Sequence, residues 1–355
     1  MKYKEIAKIA NVSVATVSLA LNNKPGISDA TRQKILEIAE SLSKSSQHQY
    51  PLSRFKKGAI RFVRIVKHGH TLNRDHDVFI SAYIEGMEKE ARKNGYNVEV
   101  STFKTNDVET IFELFNDLSI EGFIVLGTEL NPEDLTILAN AEAPIVFIDT
   151  YFDFQKADFV DMNNIEAVFQ IVKYLNDKHH RQIGMIRSDI EVKNFELRDI
   201  GFKKALQRFN IAYNEKFIFT VDSTFEGAYH DMLGHLKRMN RLPTALFVVN
   251  DITAYGCIKA LKEKGVSVPD NVSIVGFDDL PMSALMDPPL TTMKVSNKRI
   301  GRYAMRLMLE RIEKNGSLPS TKVTIGGELI ERQSVRDLAM FSSAENEEGG
   351  LAGRG

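Results

Sequence analysis

Asn11-Val12-Ser13-Val14-Ala15-Thr16-Val17-Ser18-Leu19-Ala20-Leu21-Asn22 decides how the rest of the chain is read. Before it, Lys4 to Ala10 forms a short helical stretch whose Ile6, Ala7, Ile9 and Ala10 supply an apolar face. Asn11 tolerates the left-handed turn conformation, and the Ser13 hydroxyl can accept the free N–H groups of a following helix. Val17 and Leu21, four apart, share the face that packs back on the first helix. Val14, Ala15, Ser18, Leu19 and Asn22 are left pointing elsewhere. Small and hydroxyl side chains at a helix N-terminus suit close approach to phosphate, because the amides and the helix dipole attract an anion. The spacing predicts the turn and second helix of a helix-turn-helix, which places a recognition helix in a DNA major groove. It fits equally an amphipathic helix pair inside a larger all-α domain, so the remainder of the chain must decide.

Asn22-Asn23-Lys24-Pro25-Gly26 is a turn cluster, and Ser28 then caps a third helix whose buried stripe is Ile35, Ile38, Ala39 and Leu42. The small three-helix domain ends near Leu42. Residues 43–58 are polar, serine-rich and basic, a linker by composition. Residues 1–60 hold ten Lys and Arg against four Asp and Glu, a charge of +6, so the remaining residues carry −7 of the overall −1. A basic headpiece on an acidic body suits binding to a phosphate backbone, with the body repelled from the duplex.

With 355 residues, the chain is long enough for two or three domains. No apolar run reaches the roughly 18 residues of a membrane span, and no apolar signal-peptide core follows Met1. The single cysteine, Cys257, excludes an internal disulfide framework and fits a reducing cytoplasm. Its neighbours Gly256, Ile258 and Leu261 make it a small buried residue.

From Ile60 the pattern becomes strand–helix alternation. Strand-like runs stand at Ile60–Val66, Val98–Phe103, Gly122–Leu126, Ile145–Ile148, Ile183–Ile186, Ala245–Val249 and Ile274–Phe277. Amphipathic stretches lie between them, among them Phe79–Asn94, Val108–Leu118 and Phe195–Arg208. This implies parallel sheets covered on both faces, in two tandem doubly wound lobes dividing near Asp149–Asn164. Such lobes bind ligands outside the carboxyl ends of their strands. The expected organisation is a headpiece with linker over 1–58 and a bilobal domain over 59–338. Lobe 1 takes about 59–160 plus 293–322, lobe 2 about 161–292 plus 323–338, and 339–355 is a disordered tail.

No catalytic or metal pattern stands out. His179-His180 are neighbours that point apart on a helix, and His68, His70 and His76 lack supporting Cys or carboxylate spacing. The chain has no phosphate-binding loop, dinucleotide fingerprint or nucleophile elbow, so no enzyme activity, cofactor or metal is expected.

Taken together, these residues resemble the LacI/GalR family of bacterial transcription regulators over roughly residues 2–337. The resemblance is carried by Ile6-Ala7, Ala10-Asn11-Val12-Ser13, Thr16-Val17-Ser18 and Leu21-Asn22, then Ile27-Ser28 and Thr31-Arg32. Later matches are Arg198-Asp199-Ile200-Gly201-Phe202, Asn250-Asp251 with Ala254-Tyr255-Gly256, Gly276-Phe277-Asp278-Asp279 and Pro289-Leu290-Thr291-Thr292. It implies a homodimer, in some members a tetramer, bound to a near-palindromic operator. Each protomer would close two periplasmic-binding-protein-like lobes on a sugar or sugar phosphate. Val14, Ala15 and Leu19 stand where the family reads base edges. Ser13, Thr16, Ser18, Asn22, Ser28 and Thr31 would position phosphates, with Lys2, Tyr3 and Lys4 able to reach the backbone.

The chain departs from the family in two places. The family commonly has Arg where Leu19 stands, and Leu19 offers apolar contact alone, so an unusual half-site is expected. The family's hinge-helix pattern is reduced here to Tyr50-Pro51-Leu52 and Arg54, with Leu52 the candidate minor-groove wedge.

In the cleft, Asp149 and Asp278 each follow an apolar strand, where a ligand would meet them; Asp149 has the alternative of capping the next turn. Asp279 is read as a cap for the segment after it. By resemblance Arg198 and Asp278 contact the ligand. Asn250 offers both donor and acceptor, and Asp251 reads as the N-cap of the following helix. Phe79 fits ring stacking or core packing, and Phe225 with Asp222 are candidates for the opposite wall. The reading is a repressor whose operator affinity is set by a small molecule. Its rivals are control by a protein co-repressor, and a sugar-binding enzyme fused to a DNA-binding unit.

Overall fold

The β-branched and aromatic runs fold as central strands of two parallel sheets in the computed structural model. The structure describes residues 7, 10, 12, 13, 16, 17, 20, 27, 28 and 31–35, then 57–72, 76–239, 241–314 and 318–339. It comprises two units, Met1–Lys56 and Lys57–Gly355.

In the first unit Ala7, Ala10, Val17, Ala20 and Ile35 are buried together, with Val12 and Ile27 packed against them. Ser13 Oγ accepts the Thr16 amide at 3.1 Å, and Ser28 Oγ accepts the Thr31 amide at 3.3 Å, the capping expected of both helix starts. In each pair the two hydroxyls lie 2.8 Å apart, with the serine exposed. Arg32 Nη1 donates to the Ala20 carbonyl at 3.3 Å, tying the third helical stretch to the second. Tyr3, Val14, Ala15, Ser18, Leu19, Asn22 and Leu52 lie outside the described residues, as do the linker residues 43–56 and the tail from 340.

The second unit begins with β1 (Ala59–Val66), α1 (Asp77–Lys93), β2 (Asn97–Lys104), a 3-10 segment (Val108–Asn116), β3 (Ile120–Leu126), α2 (Pro132–Leu138), β4 (Ile145–Ile148) and β5 (Asp158–Met162). It continues with α3 (Asn164–Asp177), β6 (Ile183–Ser188), α4 (Lys193–Arg208), β7 (Ile218–Val221), α5 (Phe225–Arg238), β8 (Ala245–Val248), α6 (Asp251–Glu263) and β9 (Ser273–Asp278). A 3-10 turn at Pro281–Ala284 leads to β10 (Thr291–Lys294), α7 (Asn297–Glu313), β11 (Lys322–Ile325) and β12 (Glu328–Ile330).

The strand orders are β11-β5-β4-β3-β1-β2 and β12-β10-β9-β8-β6-β7. All pairs are parallel except β10 with β12. The windings β2-β1-β3-β4-β5 and β7-β6-β8-β9-β10 are equivalent, so each lobe has a switch point beside its first strand where loops leave in opposite directions. One buried cluster runs through both lobes from Ile60 and Tyr83 to Phe247 and Phe277, and the outer sheet faces carry separate clusters.

The chain passes between lobes three times. β10 pairs with β9 as far as Lys294, and β11 pairs with β5, so the second and third passes follow Lys294 and Ile325, not 292 and 322 as expected from sequence. The boundary at 322 fails because β11, although short and polar at its start, completes the edge of the first sheet. Val108–Asn116 winds as 3-10 and not as an α-helix; its Val108, Thr110, Ile111, Phe112 and Phe115 are weak α-formers.

α1 and α7 pack without room for a side chain at two points. A Cβ on Gly86 would stand 2.2 Å from the Lys298 carbonyl oxygen, and one on Gly301 would stand 2.1 Å from that of Tyr83. Glycine is what lets these backbones meet.

Candidate functional site

The carboxyl ends of the strands supply the polar groups between the lobes. Asp149 follows β4 with φ 58°, and Asp278 ends β9 with φ 118°. Positive φ is costly for a residue bearing a Cβ, so the fold holds both carboxylates at this edge against local preference. α4 presents Asn194 and Arg198, four apart on its buried face, and α1 presents Phe79 and Tyr83 with the same spacing.

A hydrogen-bonded path links the lobes through these groups. The Tyr83 hydroxyl donates to Asp149 Oδ1 at 2.9 Å and the Thr128 hydroxyl donates to its Oδ2 at 2.5 Å. From lobe 2, Asn194 Nδ2 donates to the carbonyl of Asp149 at 3.0 Å and to its Oδ1 at 3.2 Å. Asn164 Nδ2 donates to Asn194 Oδ1 at 3.1 Å and to Asp161 Oδ2 at 3.3 Å. Arg198 Nε donates to Asn164 Oδ1 at 2.9 Å and Nη1 to the Val249 carbonyl at 2.6 Å. Its guanidinium lies 3.7 Å from the Phe277 ring centroid, and Nη2 stands 3.7 Å from Asp278 Oδ1.

Three buried carboxylates therefore share one arginine. Burial pushes Asp149 above its ordinary pKa, opposed by Thr128, Tyr83 and Arg198. Burial and then the charge of Asp149 push Asp161 well up, and burial does the same to Asp278 against the pull of Arg198. Burial beside Asp149 likewise raises the Tyr83 hydroxyl well above its usual value.

The cavity these side chains enclose measures about 40 Å³ and is lined also by Thr71, Leu72, His76, Phe79, Phe195 and Asn250. That is room for a few waters and far below the roughly 300 Å³ of a small-ligand pocket, so any such molecule must part these side chains. The lobes also meet outside this lining, where Ser223 Oγ of lobe 2 donates to the His70 carbonyl of lobe 1 at 3.3 Å, and His70 Nδ1 lies 3.5 Å from Asp222.

The loop after β1 is built around an internal anion. Glu129 Oε2 accepts the amides of Lys67, His68 and Gly69 at 2.8, 3.0 and 3.1 Å. Its Oε1 accepts those of Thr71 and Leu72 at 3.2 and 3.0 Å and the Thr71 hydroxyl at 2.8 Å. Burial works to raise the Glu129 pKa, but these donors outweigh it and hold the group below its usual range.

Of the residues expected in the cleft, Phe79, Asp149, Arg198, Asn250 and Asp278 meet around the cavity. Phe79 sits edge-on to Tyr83, ring centroids 5.3 Å apart. Phe225 faces elsewhere. It lines an apolar groove of about 1060 Å³ with Val78, Ile252, Tyr255, Met282 and Leu285. The helix cap assigned to Asp251 belongs to Asn250, whose side chain accepts the Thr253 amide at 2.8 Å. Asp251, one residue later, turns inward and accepts from Leu280 N, Ser283 Oγ and Thr292 Oγ1 at 3.0, 2.6 and 2.6 Å. Burial pushes its pKa up to about 6. Asp279, expected to cap the segment after it, instead pairs with Arg332 at 2.6 Å. His180 is structural, bonded to Thr244 and the Arg336 carbonyl at 3.0 and 3.1 Å, with burial lowering its pKa to about 4.

Sequence reasoning missed Tyr83, Thr128, Asp161, Asn164 and Asn194. The available signal was helical spacing, since Tyr83 follows Phe79 and Asn194 precedes Arg198 by one turn.

Residues 2–43 match the model of bacterial regulatory proteins of the lacI family, and residues 172–335 match that of a periplasmic binding protein-like domain. The HTH-type transcriptional repressor CytR of Escherichia coli (strain K12) is 31% identical over 339 residues, 94% of this chain and 96% of the relative. The HTH-type transcriptional repressor PurR of Histophilus somni (strain 129Pt) is 28% identical over 338 residues, 94% of this chain and 99% of the relative. Among solved structures, a complex of the transcriptional regulator CelR with cellobiose superposes with a TM-score of 0.70 at 21% identity, covering 94% of this chain and 99% of the other. A lac repressor dimer bound to operator and an anti-inducer gives 0.67 at 22% identity, covering 95% and 99%.

Proposed function

The chain belongs to the lacI family of bacterial regulatory proteins and is a DNA-binding transcriptional regulator, and from that premise we propose that a small molecule in the interlobe cleft sets its affinity for operator DNA. Repression is its mode of action. The observation that carries this reading is the path Tyr83–Asp149–Asn194–Asn164–Arg198, in which the groups a ligand would engage are the groups that join the lobes. A molecule competing for them changes how one lobe meets the other, and a coupling of that kind is reciprocal between ligand and DNA.

On the DNA, Val14, Ala15 and Leu19 read base edges, while Tyr3, Ser13, Thr16, Ser18, Asn22, Ser28 and Thr31 set the register on phosphates. The exposed serines of the Ser13–Thr16 and Ser28–Thr31 pairs support that role. Leu52 wedges into the minor groove. Phe79, Asp149, Arg198, Asn250 and Asp278 hold the effector, a sugar or related polyol, and the cleft binds without turnover, cofactor or metal. No helix among the described residues is long and apolar enough to cross a membrane, and the DNA target assigns the protein to the cytoplasm.

A second copy of the chain covers the apolar groove, where Val78, Met282 and Leu285 are 56%, 53% and 78% exposed. The resulting two-fold dimer matches a palindromic operator.

Arg198→Ala tests the assignment. Operator binding is expected at wild-type strength with the effector response gone, read by fluorescence anisotropy with and without effector. Loss of DNA binding together with the response would reassign Arg198 to folding.

A further inference from the structure

We infer that the second contact between the lobes is a proton-operated latch, in which protonated His70 of lobe 1 pairs with Asp222 of lobe 2 and holds the lobes together. It needs neither effector nor DNA. The Ser223 hydroxyl donates to the His70 carbonyl at 3.3 Å, and Asp222 Oδ2 stands 3.5 Å from His70 Nδ1. Two adjacent residues of lobe 2 thus grip one histidine by its backbone and by its ring.

Both sides of the latch are anchored. In the loop after β1 the amides of Lys67, His68, Gly69, Thr71 and Leu72 all close on Glu129. His70 is the one residue of that run whose amide goes elsewhere, to His68 Nδ1 at 3.2 Å. Its neighbours therefore fix the loop while His70 reaches lobe 2. There, Asp222 Oδ1 accepts the Thr224 amide and hydroxyl at 2.6 and 2.5 Å, and the Asp222 amide donates to Asp231 Oδ2 at 2.9 Å. The Thr253 hydroxyl donates to the Ser223 carbonyl at 3.5 Å, and the Thr253 amide is given to Asn250, which lines the cavity. The latch and the cavity are thereby joined through the first turn of α6.

The charges around His70 direct the proton to it. On lobe 1, Lys67 is paired with Asp134 at 2.6 Å and Glu129 is spent on its amides. His68 Nδ1 lies 3.3 Å from Glu129, but burial lowers the His68 pKa, and the same nitrogen serves as acceptor for the His70 amide. His68 is therefore neutral. On lobe 2, burial works to raise the Asp222 pKa, but the Thr224 hydroxyl and amide, and then His70, outweigh it and hold the group below its usual range. Asp189, its own pKa raised by burial and then by Asp222, and Asp231 complete an acidic face.

Histidine changes charge between about pH 5 and 8, whereas Asp222 stays ionised across that range. The ion pair is accordingly present at the acid end and lost as pH rises. Entry of a small molecule into the 40 Å³ cavity requires the lobes to part, so acidification opposes entry and alkalinity eases it.

The test uses the full-length protein without DNA or small molecule, so its failure would leave the regulator reading standing. A double-mutant cycle of His70→Gln and Asp222→Asn is read by urea unfolding at about pH 6 and about pH 8.5. Coupling of about threefold in the unfolding equilibrium is expected at the lower pH and none at the higher, as suits a partly exposed pair. The cycle cancels whatever each substitution costs alone. Lobe separation is read by electron–electron resonance between spin labels on Leu118→Cys and Lys216→Cys, exposed in lobes 1 and 2, with buried Cys257 left unlabelled. Labelled protein is diluted with unlabelled protein. The distance distribution is expected to be narrower at the lower pH, and Asp222→Asn to give the broader one at both. Absence of coupling at the lower pH, or equal coupling at both, overturns the inference. So do identical distance distributions at the two pH values. A pH response that persists in Asp222→Asn would move the titration to another group, such as Asp149, and overturn it as well.

Discussion

Asp161 is fully buried, and its Oδ1 has no partner among the described residues, so its ionised form is costly. Its raised pKa means that the folded protein keeps a proton the unfolded chain has lost. That contribution to stability is complete below about pH 4 and falls as pH climbs toward the folded value, by up to about 1.4 kcal/mol per pH unit. Asp161→Asn holds the neutral state. It is expected to melt higher than wild type at about pH 8 and by a smaller margin at about pH 5, and equal shifts at both would refute the account. Glu129 runs in the opposite sense. Its lowered pKa stabilises the fold above the usual glutamate range and the benefit is lost on acidification. Glu129→Gln turns an amide toward backbone donors and is expected to cost about 1–3 kcal/mol in urea unfolding at neutral pH. Asp149 and Asp278 were legible in the sequence because each ends an apolar run. Asp161 was not, since the strand it belongs to is hidden by its own acids: Asp158 is neutralised by the bidentate Arg311 at 2.6 and 2.7 Å, a pairing that only the tertiary fold creates.

The α1–α7 contact joins packing to the site at the scale of elements. The Tyr83 carbonyl presses on Gly301, while the hydroxyl of the same residue holds Asp149. Gly301→Ala is therefore expected to cost about 1–3 kcal/mol by overpacking and also to shift effector affinity. Gly234→Ala is the control. Mid-helix in α5 with nothing near its added methyl, it should stabilise by about 0.5–1 kcal/mol, and equal behaviour of the two variants in thermal melts would contradict the packing argument. Elements with continuous apolar runs were readable, since both faces of a parallel sheet are buried and local composition reports it. β5, β7 and β10 were not. Asp158 and Asp161 interrupt β5, β7 is an edge strand whose Ile218 and Thr220 are half-buried, and β10 opens on Thr291 and Thr292, whose hydroxyls pair with Arg332 N and Asp251. Asp251 was taken for the cap of α6 for a related reason. Either could cap α6, and the distant donors of Leu280, Ser283 and Thr292 decide which turns inward.

Across the whole molecule, charge is distributed for one partner. The +6 of residues 1–60 and the −7 of the remainder predict operator binding that depends strongly on ionic strength. A dimer making about 6–10 phosphate contacts is expected to lose about 10³–10⁵ in affinity between roughly 50 and 200 mM salt, measured by filter binding. A flat salt profile would mean that the headpiece does not work through the backbone. The three passes of the chain between lobes have a consequence for synthesis. Lobe 1 takes α7 and β11 from far downstream, and lobe 2 closes only with β12. A ribosome that has released everything up to Asp278 has therefore delivered one sheet of five strands and one of four, each with an edge still open. Neither lobe exists as an uninterrupted gene fragment, so messages truncated before codon 325 encode no complete lobe, and the nascent chain relies on rapid completion or on a chaperone until its last strands emerge.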